Sequence, residues 1–230
     1  MATTTIPAGD WLAQALIELG PGERVYATGI PWAVYARLAD LRDVRRPGVK
    51  ITFDRGRIEL MSPKFRHEQP SRLPSHVVVV LAEELGQLLV GARSTTFRQE
   101  QAEQGLEPDE CFYIAHARDI VGVDDIDLST HPPPDLAVEV DLSRSSVSKE
   151  AIYAPMGVPE LWRHDDNEVT IRHLRPDSTY QTVASSAAFP QVAAVDLTRL
   201  LLEGQDEDEI AFLRRCRAWA KTLFPPPANP

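Results

Sequence analysis

The stretch Pro133-Pro134-Asp135-Leu136-Ala137-Val138-Glu139-Val140-Asp141 decides the fold. Its apolar and acidic residues alternate with the period of a β-strand, so that Leu136, Val138 and Val140 share one face while Asp135, Ala137, Glu139 and Asp141 share the other. Same-face neighbours lie about 6.6 Å apart, and the carboxylates of Glu139 and Asp141 therefore repel each other. The proline run upstream favours a central strand, in which buried acids need a metal ion or another partner. An edge strand with its polar face in water is the alternative.

A second acidic segment lies upstream, where Glu107-Pro108-Asp109-Glu110 leads into the extended segment 111–114. If the two strands pair, the carboxylates of Asp109 and Glu139 meet across the sheet. Such a pair suits a hard cation such as Mg²⁺, which needs only one or two protein carboxylates beside water and substrate phosphate. Asp135 would lie about 13 Å farther along the strand and have a structural role.

Lysine is rare in this chain, with Lys50, Lys64, Lys149 and Lys221 among 24 basic residues. Lys149 comes soon after the acidic strand. A buried lysine, unlike arginine, can lose its proton and help to activate water. An exposed helix lysine is the alternative.

In this order the segments resemble the PD-(D/E)XK nuclease superfamily, and more closely the Uma-two family of bacterial restriction endonucleases. The matching segments are GRIELMSP at 56–63 followed by His67, EPDECFYI at 107–114, PPDLAVEVD at 133–141, and Lys149 through Ile152-Tyr153 to GVPELW at 157–162. The resemblance implies an α/β fold, a restriction-endonuclease-like core with a mixed central β-sheet flanked by helices. It further implies Mg²⁺ or Mn²⁺ as cofactor, with Asp109 and Glu139 as metal ligands, and hydrolysis of DNA by a site that Lys149 completes.

The chain departs from the superfamily pattern at one position, because Asp141 stands where that pattern has lysine. Lys149 must then reach back from the next helix. Glu59, His67, Tyr153 and Asp141 are candidates for accessory roles. The alternatives are an exposed strand position for Glu59, a structural histidine at His67, and simple packing for Tyr153, one helical turn after Lys149.

The remaining patterns predict one domain over residues 1–224, with its core at about 45–190, an N-terminal helical extension at 10–42, C-terminal helices at 196–224 and a frayed tail at 225–230. A hairpin is predicted around the turn Asp54-Arg55-Gly56, a helix from Ser75 to Val90, and strands at 95–99, 110–114, 160–163 and 169–174. A short helix capped by Ser146 or Ser148 is expected to end near Ala154, because Pro155 lacks an amide.

The formal net charge of −10 opposes general attraction to phosphate, although a local groove can be basic on an acidic body. The first residues lack the pattern of a signal peptide, and the longest apolar run is too short to span a membrane, so a cytoplasmic protein is expected. The two cysteines, Cys111 and Cys216, fit no metal or redox spacing and are expected to be buried thiols.

Three functions remain open at this point. The first is a Mg²⁺-dependent DNA endonuclease, expected to be a homodimer because double-strand cleavage usually uses two active sites. The second is a catalytically inactive nuclease-fold module for binding or assembly, which Asp141 in the lysine position favours. The third keeps the metal site but hydrolyses another phosphodiester.

Overall fold

The alternating acidic stretch forms a central strand, Leu136–Val140, as the proline run upstream predicted. In the computed structural model this strand pairs with a neighbour on each side within a six-stranded sheet. Its residues Leu136 to Glu139 are buried on both faces. The alternative of an edge strand with its acids in water is therefore wrong.

The structure describes residues 8–63, 65–140, 147–165 and 168–224, without the side chains of residues 8 and 65–71. The helices of this part of the chain are α1 (Ala8–Glu18), α2 (Trp32–Arg45), α3 (Phe65–Leu85), α4 (Ala117–Ile120), α5 (Glu150–Met156), α6 (Ala194–Gly204) and α7 (Glu209–Leu223). Its strands are β1 (Arg24–Ala27), β2 (Lys50–Asp54), β3 (Arg57–Met61), β4 (Val90–Gly91), β5 (Phe97–Gln99), β6 (Gln104–Leu106), β7 (Glu110–Tyr113), β8 (Leu136–Val140), β9 (Glu160–His164), β10 (Val169–Leu174) and β11 (Tyr180–Val183).

The contacts divide the chain into two units, each built around its own sheet. The first unit comprises Met1–Phe65, Thr96–Glu107 and Arg144–Ile152, and the second comprises Arg66–Thr95, Pro108–Ser143 and Tyr153–Pro230. The mixed α/β class is confirmed, as are the helices expected near both ends of the chain. A single domain over residues 1–224 stays a prediction, and the tail at 225–230 lies outside the described residues.

The first unit has an antiparallel sheet of order β1-β3-β2-β6-β5. The predicted hairpin of β2 and β3 is confirmed, and its turn residues Arg55 and Gly56 have positive φ angles of 45° and 82°. One face of the hairpin packs against α1 and α2. The buried residues of this core include Leu12, Leu16, Tyr35, Leu38, Ile51, Phe53, Ile58 and Leu60.

The first unit also contains a buried ion pair between Arg42 and Glu107. Arg42 Nη2 donates to Glu107 Oε1 at 2.6 Å, and the other oxygen of Glu107 accepts the backbone amide of Ile51 at 2.5 Å. Burial raises the pKa of Glu107, and the charge of Arg42 opposes that shift. Glu107, at the start of the EPDE segment, thus has a structural partner within the first unit.

The second unit has a mixed sheet of order β11-β10-β9-β8-β7-β4, in which β8 and β9 are parallel and the other pairs are antiparallel. One face, called the core face here, packs against α3, α6 and α7. Its buried cluster includes Val77, Leu81, Phe112, Leu136, Val138, Trp162, Val169, Ile171, Phe189, Leu201 and Phe212. The predicted mixed sheet is therefore confirmed, and the β8–β9 crossover runs through α5.

Two helices have boundaries that differ from the sequence-based prediction. Helix α3 ends at Leu85, five residues before the predicted end at Val90, and Val90 instead begins strand β4. Helix α3 begins at Phe65, ten residues before the predicted start at Ser75, and continues through Pro70 and Pro74. Each proline removes one backbone hydrogen bond, but the helix buries a long apolar face with Leu73, Val77, Val78, Val80 and Leu81. Burial of that face offsets the two missing bonds.

Helix α5 also continues past its predicted end at Ala154, since it contains Pro155 and reaches Met156. Pro155 has no amide to donate to the carbonyl of Ala151, four residues earlier. Gln104 Nε2 donates to that carbonyl instead, at 3.0 Å. A side chain from a distant part of the sequence therefore satisfies the acceptor that the proline leaves open, which no local pattern could indicate.

Strand β5 begins at Phe97, two residues after the predicted start at Thr95. Both cysteines are buried free thiols, as expected. Burial raises the pKa of Cys216 to about 12. Within the described residues, no helix combines the length and hydropathy needed to cross a bilayer.

The close packing of Gly105 against Tyr35 can be tested by substitution. A Cβ atom at this position would lie 1.9 Å from Tyr35 Oη and 2.5 Å from Cζ, and the Tyr35 ring is fixed by stacking on Phe53 at a centroid distance of 4.7 Å. We expect Gly105→Ala to lower the free energy of unfolding by about 1–3 kcal/mol through overpacking. Gly48→Ala is the control, because a Cβ atom at that position would have no neighbouring atom within 4 Å. Equal midpoints for both variants in urea unfolding would contradict this account of the core.

Candidate functional site

The candidate site begins with Glu139 on the face of the second sheet that is opposite to the core face. This face, called the site face here, carries Ala137 and Glu139 of β8, Asp135 directly before β8, and their neighbours in register. Glu139 is only 1% exposed. A carboxylate buried to this extent requires polar partners or a cation, because desolvation strongly disfavours its charged form.

Asp109 lies near Glu139, directly before the neighbouring strand β7. The antiparallel register pairs Glu110 with Val138 and Cys111 with Ala137, and one further step places Asp109 opposite Glu139. Residues opposite each other in an antiparallel pair lie on the same face of the sheet. Asp109 Oδ2 accepts the backbone amide of Val140 at 2.6 Å, which fixes this carboxylate at the end of β8. The strand pairing that the sequence analysis required is therefore confirmed.

Tyr153 of α5 is the third residue of the site. Its hydroxyl donates a short hydrogen bond to Glu139 Oε1, and both groups are buried. Burial, followed by the charge of Glu139 and the hydrogen bond to it, holds the pKa of Tyr153 well above its usual value of 10.0. The phenol therefore remains a donor at any pH near neutral. The charge of Asp109 raises the same pKa, in keeping with its position near the ring.

Two further residues of the site face, Arg163 and Cys111, were not among the predicted site residues. Arg163 of β9 is the register partner of Glu139 in the parallel pair, so the two side chains leave the sheet on the same face. Cys111 lies two residues after Asp109 on that face, and its thiol pKa is raised by burial and then by the charges of Glu110 and Glu139. Alternation within β9 could have indicated the face of Arg163, but its alignment with Glu139 depends on the β8–β9 register.

The opposite end of β8 is structural in character. Asp135 Oδ2 accepts the backbone amides of Ile114 and His116 at 2.7 and 3.1 Å, while Oδ1 lies 2.6 Å from His116 Nδ1. These bonds explain the acid at position 135 without a ligand and match its expected structural role.

Glu160, at the start of β9, is a second structural acid. Its carboxylate accepts from Trp162 Nε1, Ser186 Oγ and the amide of Ala187, each at 2.6 Å. Trp162 is buried in the core. A cavity of about 510 Å³ opens between Asp135 and Glu160, four residues along β8 from Glu139. Both acids that line it already have several donors.

Glu59 and Lys149 belong to the first unit. Glu59 is buried in β3, with one carboxylate oxygen 3.6 Å from Arg24 Nη1, so the alternative of an exposed strand glutamate is wrong. Lys149 is partly buried and directly precedes α5, where its carbonyl accepts the amide of Ile152 at 2.9 Å. Catalytic or ligand roles for these two residues stay predictions.

Two accessory candidates cannot be placed. The side chain of His67 lies outside the described residues, although its backbone belongs to α3. Asp141 lies wholly outside them.

The donors of the site fit Mg²⁺ or Mn²⁺ better than a softer metal. Asp109 and Glu139 supply only carboxylate oxygens, and hard divalent cations prefer oxygen ligands. The described residues contain no group of three or more His, Cys, Asp and Glu side chains placed to hold a metal ion. Two carboxylates are nevertheless enough for Mg²⁺, which keeps several waters and takes further oxygens from substrate phosphate.

Comparison with known proteins gives one family match and one structural likeness to report. The family model Uma2, described as "Putative restriction endonuclease", matches residues 32–206. The chain also matches the crystal structure, at 1.96 Å resolution, of a putative nuclease belonging to DUF820 from Anabaena variabilis ATCC 29413. That match has a TM-score of 0.45 and 16% identity, and it covers 74% of this chain and 90% of that chain. No curated protein matches the chain.

The Tyr153–Glu139 bond predicts a stability difference between two tyrosine variants. Tyr153→Phe removes a donor from a buried carboxylate and should lower the free energy of unfolding by about 1.5–3 kcal/mol. Tyr180→Phe is the matched control, because the Tyr180 hydroxyl donates to the neutral carbonyl of Val158 at 2.6 Å and its loss should cost only about 0.5–1.5 kcal/mol. Urea unfolding of both variants measures the difference. A smaller loss for Tyr153→Phe than for Tyr180→Phe would contradict the ionic character of the first bond.

Proposed function

Because the chain belongs to the Uma2 family, whose members are described as putative restriction endonucleases, we propose that it is a Mg²⁺-dependent endonuclease that hydrolyses phosphodiester bonds in DNA. Asp109 and Glu139 are the proposed metal ligands and Lys149 the residue that helps to activate the attacking water. Mn²⁺ is expected to substitute for Mg²⁺, since both prefer oxygen ligands.

The observation that carries the proposal is the pair of acids on adjacent inner strands. Asp109 directly precedes β7, whose register pairs Glu110 with Val138, and it accepts the backbone amide of Val140, the residue after the buried Glu139. Two carboxylates that lie close together attract a divalent cation, because its charge reduces their mutual repulsion. Asp135 and Glu160 each accept two backbone amides, which accounts for these two acids without a ligand.

The chemistry assigns different tasks to the residues of the site. A bound Mg²⁺ would lower the pKa of its water and polarise a phosphoryl oxygen. Tyr153 holds one oxygen of Glu139 in place from above the sheet, and the Val140 amide holds one oxygen of Asp109. Lys149 is assigned by its place in the family motif, four residues before Tyr153, and by the ability of a lysine to exchange a proton with water.

DNA is the proposed substrate, and a homodimer is the proposed assembly. Cleavage of both strands by one enzyme usually requires two sites related by symmetry, and two-fold dimers are the commonest closed assemblies. The net charge of −10 means that attraction to DNA must come from local basic groups rather than from the whole protein.

One observation favours the second candidate function, a catalytically inactive module for binding or assembly. Asp141 stands where the superfamily pattern has lysine, so a strand-borne lysine is missing from the motif. If Lys149 does not replace it, the acids could bind a metal ion without hydrolysing DNA.

A plasmid-nicking assay with Mg²⁺ separates the two functions. We expect the wild type to convert supercoiled plasmid to open-circular and linear forms, and Asp109→Ala to abolish this conversion because it removes a metal ligand. Asp119→Ala, at an exposed position of α4, should cleave at the wild-type rate. A wild type that leaves the plasmid intact, or that is no faster than Asp109→Ala, supports the inactive module.

Lys149 has its own test in the same assay. Lys149→Met should reduce the cleavage rate by about 10²–10⁴-fold, the usual contribution of a residue that moves a proton. Metal binding should change little, and Lys149→Arg should not restore the rate, because arginine keeps its proton. Lys221→Met, at an exposed position of α7, is the control. Wild-type activity in Lys149→Met would place Lys149 outside the mechanism.

A further inference from the structure

The site face carries both arginines found in the strands of the second sheet. Arg163 of β9 is aligned with Glu139 of β8, and Arg172 of β10 is aligned with Leu161, two residues before Arg163 on the same face. No strand of this sheet contains a lysine, and these strands lie wholly within the described part of the chain. The positive charges of the sheet therefore share one face with the candidate metal ligands.

The composition of the core face explains why Arg163 and Arg172 both lie on the opposite face of the sheet. Leu136, Val138, Trp162, Val169 and Ile171 fill the core face, where a guanidinium group would lose its hydration. Both arginines are partly exposed, so part of each side chain reaches the surface, although Nε of Arg172 is buried. Folding thus arranges charges across neighbouring strands in the order acid, arginine, arginine.

The separation of Arg163 and Arg172 on the sheet suits the binding of neighbouring phosphates of one nucleic-acid strand. Neighbouring strands lie about 4.8 Å apart, so the Cα atom of Arg163 is one strand from that of Glu139 and the Cα atom of Arg172 is one strand farther and two residues along. Arginine remains protonated and binds phosphate oxygens through two parallel N–H donors. Neither arginine is suited to proton transfer, so their chemistry is complementary to that of Lys149.

We propose that Arg163 and Arg172 form a phosphate-binding track on the site face, with Arg163 binding the phosphate nearest Glu139 and Arg172 binding a neighbouring phosphate of the same nucleic-acid strand. This inference rests on the proposed function, because it takes DNA as the substrate. It adds the residues that supply local attraction to DNA in a protein of net charge −10.

The number of phosphates that a protein neutralises can be read from the salt dependence of binding. The slope of log Kobs against log salt concentration changes by about 0.9 for each duplex phosphate contacted. We therefore expect Arg163→Gln and Arg172→Gln each to make the slope shallower by about 0.9, and to weaken binding by about eight-fold at 0.1 M salt. Arg163→Lys keeps the charge and should keep the wild-type slope.

The measurement uses the full chain, a short fluorescein-labelled DNA duplex and a constant concentration of Ca²⁺ in place of Mg²⁺, with fluorescence anisotropy recorded over a series of salt concentrations. Arg199→Gln is the matched control, because Arg199 is exposed on α6, which packs on the core face, and pairs with Asp196. Its slope should equal that of the wild type. Circular dichroism and thermal melts of each variant check that it is folded, and Arg172→Gln provides a second reading if Arg163→Gln unfolds.

The outcomes separate this inference from the proposed function. Wild-type slopes in both Arg163→Gln and Arg172→Gln, in a protein that binds and cleaves DNA, would overturn the track and leave the endonuclease intact. Absence of salt-dependent DNA binding by the wild type would overturn both. If Arg163 served only to neutralise Glu139, its replacement by glutamine would tighten Ca²⁺ binding and leave the salt slope unchanged, which also overturns the track.

Discussion

The burial of carboxylates in the inner strands of the second sheet is the constraint on which the site depends. A carboxylate oxygen removed from water needs hydrogen-bond donors or a cation to replace its hydration. The carboxylates at the two ends of β8 meet this need in different ways. Asp135 accepts backbone amides and a histidine nitrogen, so the fold itself satisfies it. Glu139 instead accepts a tyrosine hydroxyl and stands opposite another acid. The first arrangement stabilises a turn, whereas the second concentrates negative charge.

The two faces of the sheet separate stability from chemistry. The core face buries an almost continuous apolar surface against α3, α6 and α7, which holds the strands in register. The site face can then carry charged residues at fixed positions, because register and strand alternation determine where each side chain emerges. Tyr153 contributes to both stability and chemistry, because its ring is buried and its hydroxyl donates a hydrogen bond to Glu139. A functional constellation on strands and a helix is held more precisely than one on loops.

Much of this arrangement could be predicted from the sequence, because it depends on local patterns. Strict alternation identified β8 and the acids on one of its faces, and the short segment after Asp109 identified the partner strand. The hairpin of β2 and β3 followed from its turn. In each case the signal lies within about ten residues and reflects strand periodicity or turn chemistry.

Other features could not be predicted, because they depend on residues that are distant in the sequence. Arg163 aligns with Glu139 only through the parallel β8–β9 register, which a crossover through α5 establishes. Helix α5 passes Pro155 while Gln104 donates to the carbonyl of Ala151, and α3 tolerates two prolines while its apolar face is buried. Strands β1, β6 and β11 were not predicted, and each is held in a sheet by pairing with another strand. Tertiary contacts outweigh local propensity at each of these positions.

The most direct test of the central claim, that Asp109 and Glu139 together bind a divalent cation, is a thermal melt with and without metal. Wild-type protein should be stabilised by Mg²⁺ or Mn²⁺, by about 2.7 kcal/mol when the free ion is at a hundred times its dissociation constant. Glu139→Gln keeps an oxygen that can accept from Tyr153 but removes the charge, and should lose most of this gain. Glu168→Gln, at an exposed position, should keep it. Equal metal-induced shifts in wild type and Glu139→Gln would mean that the ion binds elsewhere, and would contradict the account.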